Sequence, residues 1–187
     1  MNLPNKLTIL RIVMIPVFVA LFYISVVPCH FILSAVVFAL AAFTDFLDGY
    51  IARKYNIVTD LGKFLDPIAD KVLVSSALIV MLVPIAGNLI IPSYGAIAVA
   101  IILARELVVS GFRMVAASKG MVIAADKSGK IKTFVTDIAI VVLLVGADIP
   151  LNGYMNLAGL ILLGIATVLT IISGIECIVK NKAVLKG

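Results

Sequence analysis

The chain has 187 residues, of which 63% are hydrophobic and only 13% charged, with a mean hydropathy of +1.24 and a formal net charge of +5. Length alone would allow one soluble domain, but so apolar a composition excludes a globular protein in water and makes lipid the solvent. Nothing in it resembles a nucleic-acid-binding module, so no nucleic acid is expected as a partner, and the positive charge suits an anionic membrane leaflet or an anionic substrate.

In chain order, the charge-free run Ile12–Val27 predicts a first helix over 7–27, with Thr8 and Arg11 near its basic end. Lys6 and Arg11 ahead of an apolar core have the look of a secretory signal. Pro28 before Cys29 is a poor cleavage context, however, and removal would leave an odd number of spans, so the segment is expected to stay. Phe31–Thr44 continues into a second helix over 31–53. Val72–Ala104 is too long for one span and is broken by Pro84, Gly87, Asn88 and Pro92, which predicts a helical hairpin over 67–85 and 91–116. A similar break at Pro150–Gly153 separates helices over 131–148 and 154–177. The expected fold is an all-α integral membrane protein with six transmembrane helices in a single domain, 1–187, without internal repeats.

The basic residues set the orientation, because cytoplasmic connections collect Lys and Arg. All 15 of them fall near the N-terminus, around the second connection, around the fourth, or in the C-terminal tail. Both termini are therefore expected on the cytoplasmic side of the cell membrane. Cys29 then lies outside and Cys177 inside, so the two cannot pair, and the single histidine, His30, sits in an outer loop away from the other candidate groups.

The chemistry is concentrated in "DFLDGYIARKYNIVTDLGKFLDPIAD", residues 45–70. On a helix, Asp45, Asp48, Gly49, Ala52 and Arg53 share an arc of about 140°, opposite Phe46, Leu47, Tyr50 and Ile51. One face is acidic and stripped of bulk. Gly62, Asp66 and Asp70 are again spaced by four, and Pro67 is compatible with a helix that begins at Asp66. Four carboxylates meeting at a low-dielectric boundary repel one another unless a cation compensates. An all-oxygen set points to a hard divalent ion, Mg²⁺ or Mn²⁺. A solvated loop in which the acids pair with Arg53, Lys54, Lys63 and Lys71 would account for Asp60 but not for the helical spacing with small residues between.

Read as D-x2-D-G-x2-A-R-x8-G-x3-D-x3-D, from Asp45 to Asp70, the stretch resembles without departure the signature of the CDP-alcohol phosphatidyltransferases. The resemblance implies transfer of a phosphatidyl group from CDP-diacylglycerol to an alcohol with release of CMP. It implies a metal held by Asp45, Asp48 and Asp66, and Asp70 as the catalytic base, which also reaches a second metal. Gly49, Ala52 and Gly62 would then leave room for the nucleotide, and Arg53 would either pair with an acid or reach a phosphate. The family also implies a homodimer, although "AGLILLGIA" in the sixth span is too weak a small-residue signal to choose an interface.

The flanking stretches "PNKLTILR", "ARELVVSGFR" and "GKIKT" are similar to the bacterial, phosphatidylglycerophosphate-forming branch of that family. This implies sn-glycerol 3-phosphate as the acceptor, its phosphate held among Thr8, Arg11, Arg105, Arg113, Lys130 and Lys132. Each basic residue also reads as a topology marker, Arg11 and Arg105 least so because they interrupt apolar helices. Asp137 is a further expected partner for one of those arginines, and Glu106 for its neighbour. Other acceptors in the same family, namely inositol phosphate, inositol, serine or a lipid alcohol, remain alternatives. So does a cation transporter with the acids as a relay, though a relay wants acids at mid-membrane rather than near one side.

Overall fold

The structure is a computed structural model that describes residues 3–54, 60–85, 89–121, 123, 127–149 and 153–185. Among them are six long helices and no β-strand: α1 (Leu3–Tyr23), α2 (His30–Lys54), α3 (Asp60–Val80), α4 (Ala96–Ser118), α5 (Lys127–Asp148) and α6 (Tyr154–Lys180). Short 3₁₀ turns at Ser93–Gly95 and Lys182–Leu185 precede α4 and follow α6.

The helices coincide with the six expected from the apolar runs but extend beyond them at several polar ends. α1 begins at Leu3 and α5 at Lys127. The largest difference is α3, which begins at Asp60 rather than at 67, so Pro67 lies inside the helix instead of opening it. Hydrogen bonding along a helix does not stop where the apolar run stops, and a polar first turn is satisfied by solvent or headgroups. By length and composition, α1, α2, α4 and α6 are apolar enough to cross a membrane. α3 and α5 are set apart by charges along their length, Lys63, Asp66, Asp70 and Lys71 on one and Lys127, Lys130, Lys132 and Asp137 on the other.

α1 packs on α2 and α3, α2 on α5, and α6 on both α5 and α4. A continuous apolar core runs between them. Phe18 and Phe22, one turn apart on α1, meet Phe38 and Phe31 of α2 with ring centroids 5.9 and 5.2 Å apart. These aromatic contacts fasten the first two helices side by side. Ala139, Ile140, Leu143 and Leu144 of α5 are wholly buried. Gly159 permits α5 and α6 to approach so closely that a Cβ there would lie 2.6 Å from Leu143 Cγ. At one end of the bundle the backbone N–H of Ile32 donates to Asp148 Oδ2 at 2.8 Å, so the end of α5 caps the first turn of α2.

Much of the outside is apolar as well. Leu107 and Met114 on α4, Phe134 on α5, and Ile161, Val168 and Ile175 along one edge of α6 are all exposed. Unpartnered surface of this kind is stable in lipid and not in water.

Candidate active site

The acidic face of α2 meets a single buried cation from α1. Arg11 has no exposed surface; its Nη2 donates to Asp48 Oδ2 at 2.5 Å, its Nη1 lies 2.8 Å from Asp45 Oδ1 as an ion pair, and its Nε donates to the Ala41 carbonyl at 3.3 Å. Ala41, Asp45 and Asp48 fall on one edge of α2 because they are four and three residues apart. A planar guanidinium can serve all three positions at once, which a lysine ammonium cannot. Asp48 is almost completely buried and needs such a partner, whereas the Asp45 side chain is 43% exposed. Two carboxylates against one guanidinium leave one negative charge among these three groups. Thr8, one turn before Arg11, is buried.

Asp70 lies on α3, and the helical course of Asp60–Val80 puts Gly62, Asp66 and Asp70 at intervals of four on one face. Gly49 is half-buried on α2. The side chains of Ala52, Arg53, Gly62 and Asp66 lie outside the described residues. Carboxylate oxygens are the donors that a hard divalent ion takes, so the donor chemistry fits Mg²⁺ or Mn²⁺. Among the described residues no three ligating side chains converge, a set that excludes the Asp66 carboxylate.

Asp70 opens onto a pocket between α3, α4 and α5, whose polar lining includes Lys71, Glu106, Lys132 and Thr136. Glu106 of α4 gathers the cations here. Arg105 Nη1 donates to Glu106 Oε1 at 3.0 Å, and the largely buried Lys132 ammonium of α5 bonds the same oxygen. Arg105 Nη2 donates to Ser173 Oγ of α6 at 2.9 Å, while its Nε is buried without a partner.

The six basic or polar residues expected around the acceptor phosphate are thus not gathered in one place. Arg105 and Lys132 come together at Glu106. Arg11 is engaged with Asp45 and Asp48, and Lys130 is exposed. Arg113 is half-buried, with an Nε that has no hydrogen-bond partner. Asp137 pairs with neither Arg11 nor Arg105 in these contacts, and its Oδ1 is buried and unbonded. Ser173 carried no signal in the sequence, since a serine in an apolar span reads as a small packing residue. The bridge made by Glu106 to Lys132 was equally hidden, because the two are 26 residues apart.

Known proteins are similar to this chain over most of its length. Residues 1–172 match the model of the CDP-alcohol phosphatidyltransferase family. A protein of Rickettsia bellii named CDP-diacylglycerol–glycerol-3-phosphate 3-phosphatidyltransferase is 45% identical over 92% of this chain and 91% of its own. One of the same name from Bacillus subtilis is 39% identical over 99% of this chain and 97% of its own. A Mycobacterium tuberculosis protein named probable phosphatidylglycerophosphate synthase is 40% identical over 96% of this chain and 81% of its own. With the family model covering nearly the whole length and relatives this similar end to end, the chain belongs to the CDP-alcohol phosphatidyltransferase family.

Proposed function

We propose that the protein transfers the phosphatidyl group of CDP-diacylglycerol to sn-glycerol 3-phosphate, giving phosphatidylglycerophosphate and CMP. The observation that carries this reading is the shared pocket, in which the Asp70 carboxylate and the Lys132 ammonium line one cavity. An acceptor with a hydroxyl at one end and a phosphate at the other matches that pairing, and the names of the relatives from Rickettsia bellii and Bacillus subtilis point to the same acceptor.

In this reading Asp70 takes the proton of the attacking primary hydroxyl as its oxygen bonds to the phosphatidyl phosphorus. The bond from that phosphorus to the CMP oxygen breaks, and CMP leaves with the electron pair. Lys132 and Arg105, with Arg113, hold the acceptor phosphate by charge-assisted bonds. Arg11 holds Asp45 and Asp48 aimed from one helix edge. A divalent ion, Mg²⁺ or Mn²⁺, would be held by Asp45, Asp48, Asp66 and Asp70. When bound it would neutralise the diphosphate and stabilise the departing CMP. Gly49, Ala52 and Gly62 would leave the nucleotide room, with Arg53 beside it.

The same reading makes the chain a six-span protein of the cell membrane, with both termini and the pocket on the cytoplasmic side, and a homodimer by family resemblance. Its test is an acceptor panel with the purified protein in detergent, labelled CDP-diacylglycerol and added Mg²⁺ or Mn²⁺. CMP release should depend on glycerol 3-phosphate and stop with chelator. Faster turnover of inositol or serine would overturn the acceptor while leaving the transferase in place.

A further inference from the structure

We propose that Glu106 is a positioning residue for the acceptor, acting by holding Lys132 of the pocket wall together with Arg105 as a preformed cation pair; this rests on the glycerol 3-phosphate reading above. The arrangement is unusual in that one carboxylate oxygen, Oε1, serves both cations, from its own helix and from α5. Without that oxygen two like charges would be driven apart, and Lys132, 6% exposed, would be a buried ammonium deprived of this counter-charge.

Arg105 is fixed from a third helix as well. Ser173 Oγ accepts from its Nη2, and Gly174 lets the arginine stem lie flat on α6, where a Cβ would come within 3.1 Å of Arg105 Cγ. The guanidinium is thereby oriented by groups on α4 and α6 while its buried Nε remains unbonded. Long cationic side chains ordinarily lose rotamer freedom when they close on a phosphate, and this cost lowers affinity. Here Glu106 and Ser173 have already ordered them. Glu106 also cancels one of the two positive charges, so the group offers directed donors at a modest net charge. That favours a phosphate delivered in a fixed orientation, with its hydroxyl toward Asp70, over indiscriminate anion binding.

The test compares wild type with Glu106→Gln, Glu106→Asp and Ser173→Ala, purified in detergent. KM and kcat are measured for glycerol 3-phosphate at saturating CDP-diacylglycerol, and KM for CDP-diacylglycerol separately. Glu106→Gln should raise the acceptor KM about tenfold or more, the scale of one lost charge-assisted bond, with KM for CDP-diacylglycerol unchanged and kcat nearly so. Glu106→Asp should recover part of the loss, and Ser173→Ala should show a smaller rise of the same kind. Removing a negative charge would by itself draw an anionic acceptor closer, so an unchanged or lowered acceptor KM in Glu106→Gln overturns the proposal. Parallel losses for both substrates, or a loss in kcat alone, would mark a purely structural role and overturn it too. If Glu106→Gln does not fold, Ser173→Ala decides, and an acceptor KM equal to wild type is then the refuting result. A wild-type enzyme that does not use glycerol 3-phosphate would instead defeat the functional reading on which this one stands.

Discussion

At the scale of single residues, one buried guanidinium, that of Arg11, faces the carboxylates of both Asp45 and Asp48. Asp45, Asp48, Asp66 and Asp70 declare themselves by falling at helical intervals in an otherwise apolar chain. Arg11, which the sequence groups with the acceptor phosphate, lies 37 residues before Asp48, and only the packing of α1 on α2 reveals that it pairs with Asp48 and Asp45. The two roles make different predictions. As an anchor for the acids, Arg11→Ala strips Asp48 of a buried partner and should cost about 3–5 kcal/mol of stability, the range for breaking a buried pair, with most of the loss at Asp48 because Asp45 is solvated. Thermal denaturation in detergent should therefore shift strongly, and Arg11→Lys should recover only part because an ammonium lacks the fork. Normal stability with a raised acceptor KM would instead assign Arg11 to the phosphate. Asp70→Asn should behave otherwise, lowering turnover by about 10²–10⁴-fold, the usual contribution of a general base, while CDP-diacylglycerol still binds. Near-normal turnover would remove Asp70 from that role.

At the scale of elements, existence was legible and extent was not. The apolar runs, one of them split into a hairpin, became six helices, because a chain in lipid has little choice but to satisfy its backbone internally. The polar first turns of α1, α3 and α5 escaped because hydropathy marks where lipid ends, whereas helical hydrogen bonding continues past that boundary. Which helices touch was also hidden, and small residues decide it. Gly159 sits where α6 crosses α5, with Leu143 fully buried against it, while Gly164, five residues on, has open space around it. Gly159→Ala should then destabilise the fold by about 1–3 kcal/mol through overpacking, and Leu143→Ala in the same chain should relieve part of that loss. Gly164→Ala should be neutral or slightly stabilising, since it only removes helix-breaking freedom. Equal melting temperatures for the two glycine variants would show that the α5–α6 contact is looser than its geometry indicates.

At the scale of the whole molecule, the open quantity is how many times the chain crosses the bilayer. Four helices qualify by apolarity alone, and α3 and α5 carry charge. If only those four crossed, α4 would run outward from a cytoplasmic start, and Ser118 at its last turn would lie outside. The bundle argues against this. α5 lies along α2 and α6 with four core side chains wholly buried, and α3 lies along α1 with Leu73, Ala77 and Leu78 equally buried. In the six-span reading proposed above, these two helices cross with the partners they pack against. Tyr94, in the turn before α4, and Ser118, the last residue of α4, are both exposed and separate the two cases. In a background with Cys29→Ser and Cys177→Ser, a membrane-impermeant maleimide applied to intact bacterial cells should label Tyr94→Cys and leave Ser118→Cys untouched until the membrane is opened. Four crossings predict the reverse. Labelling of Ser118→Cys in intact cells would place the last turn of α4 outside and overturn the six-span reading.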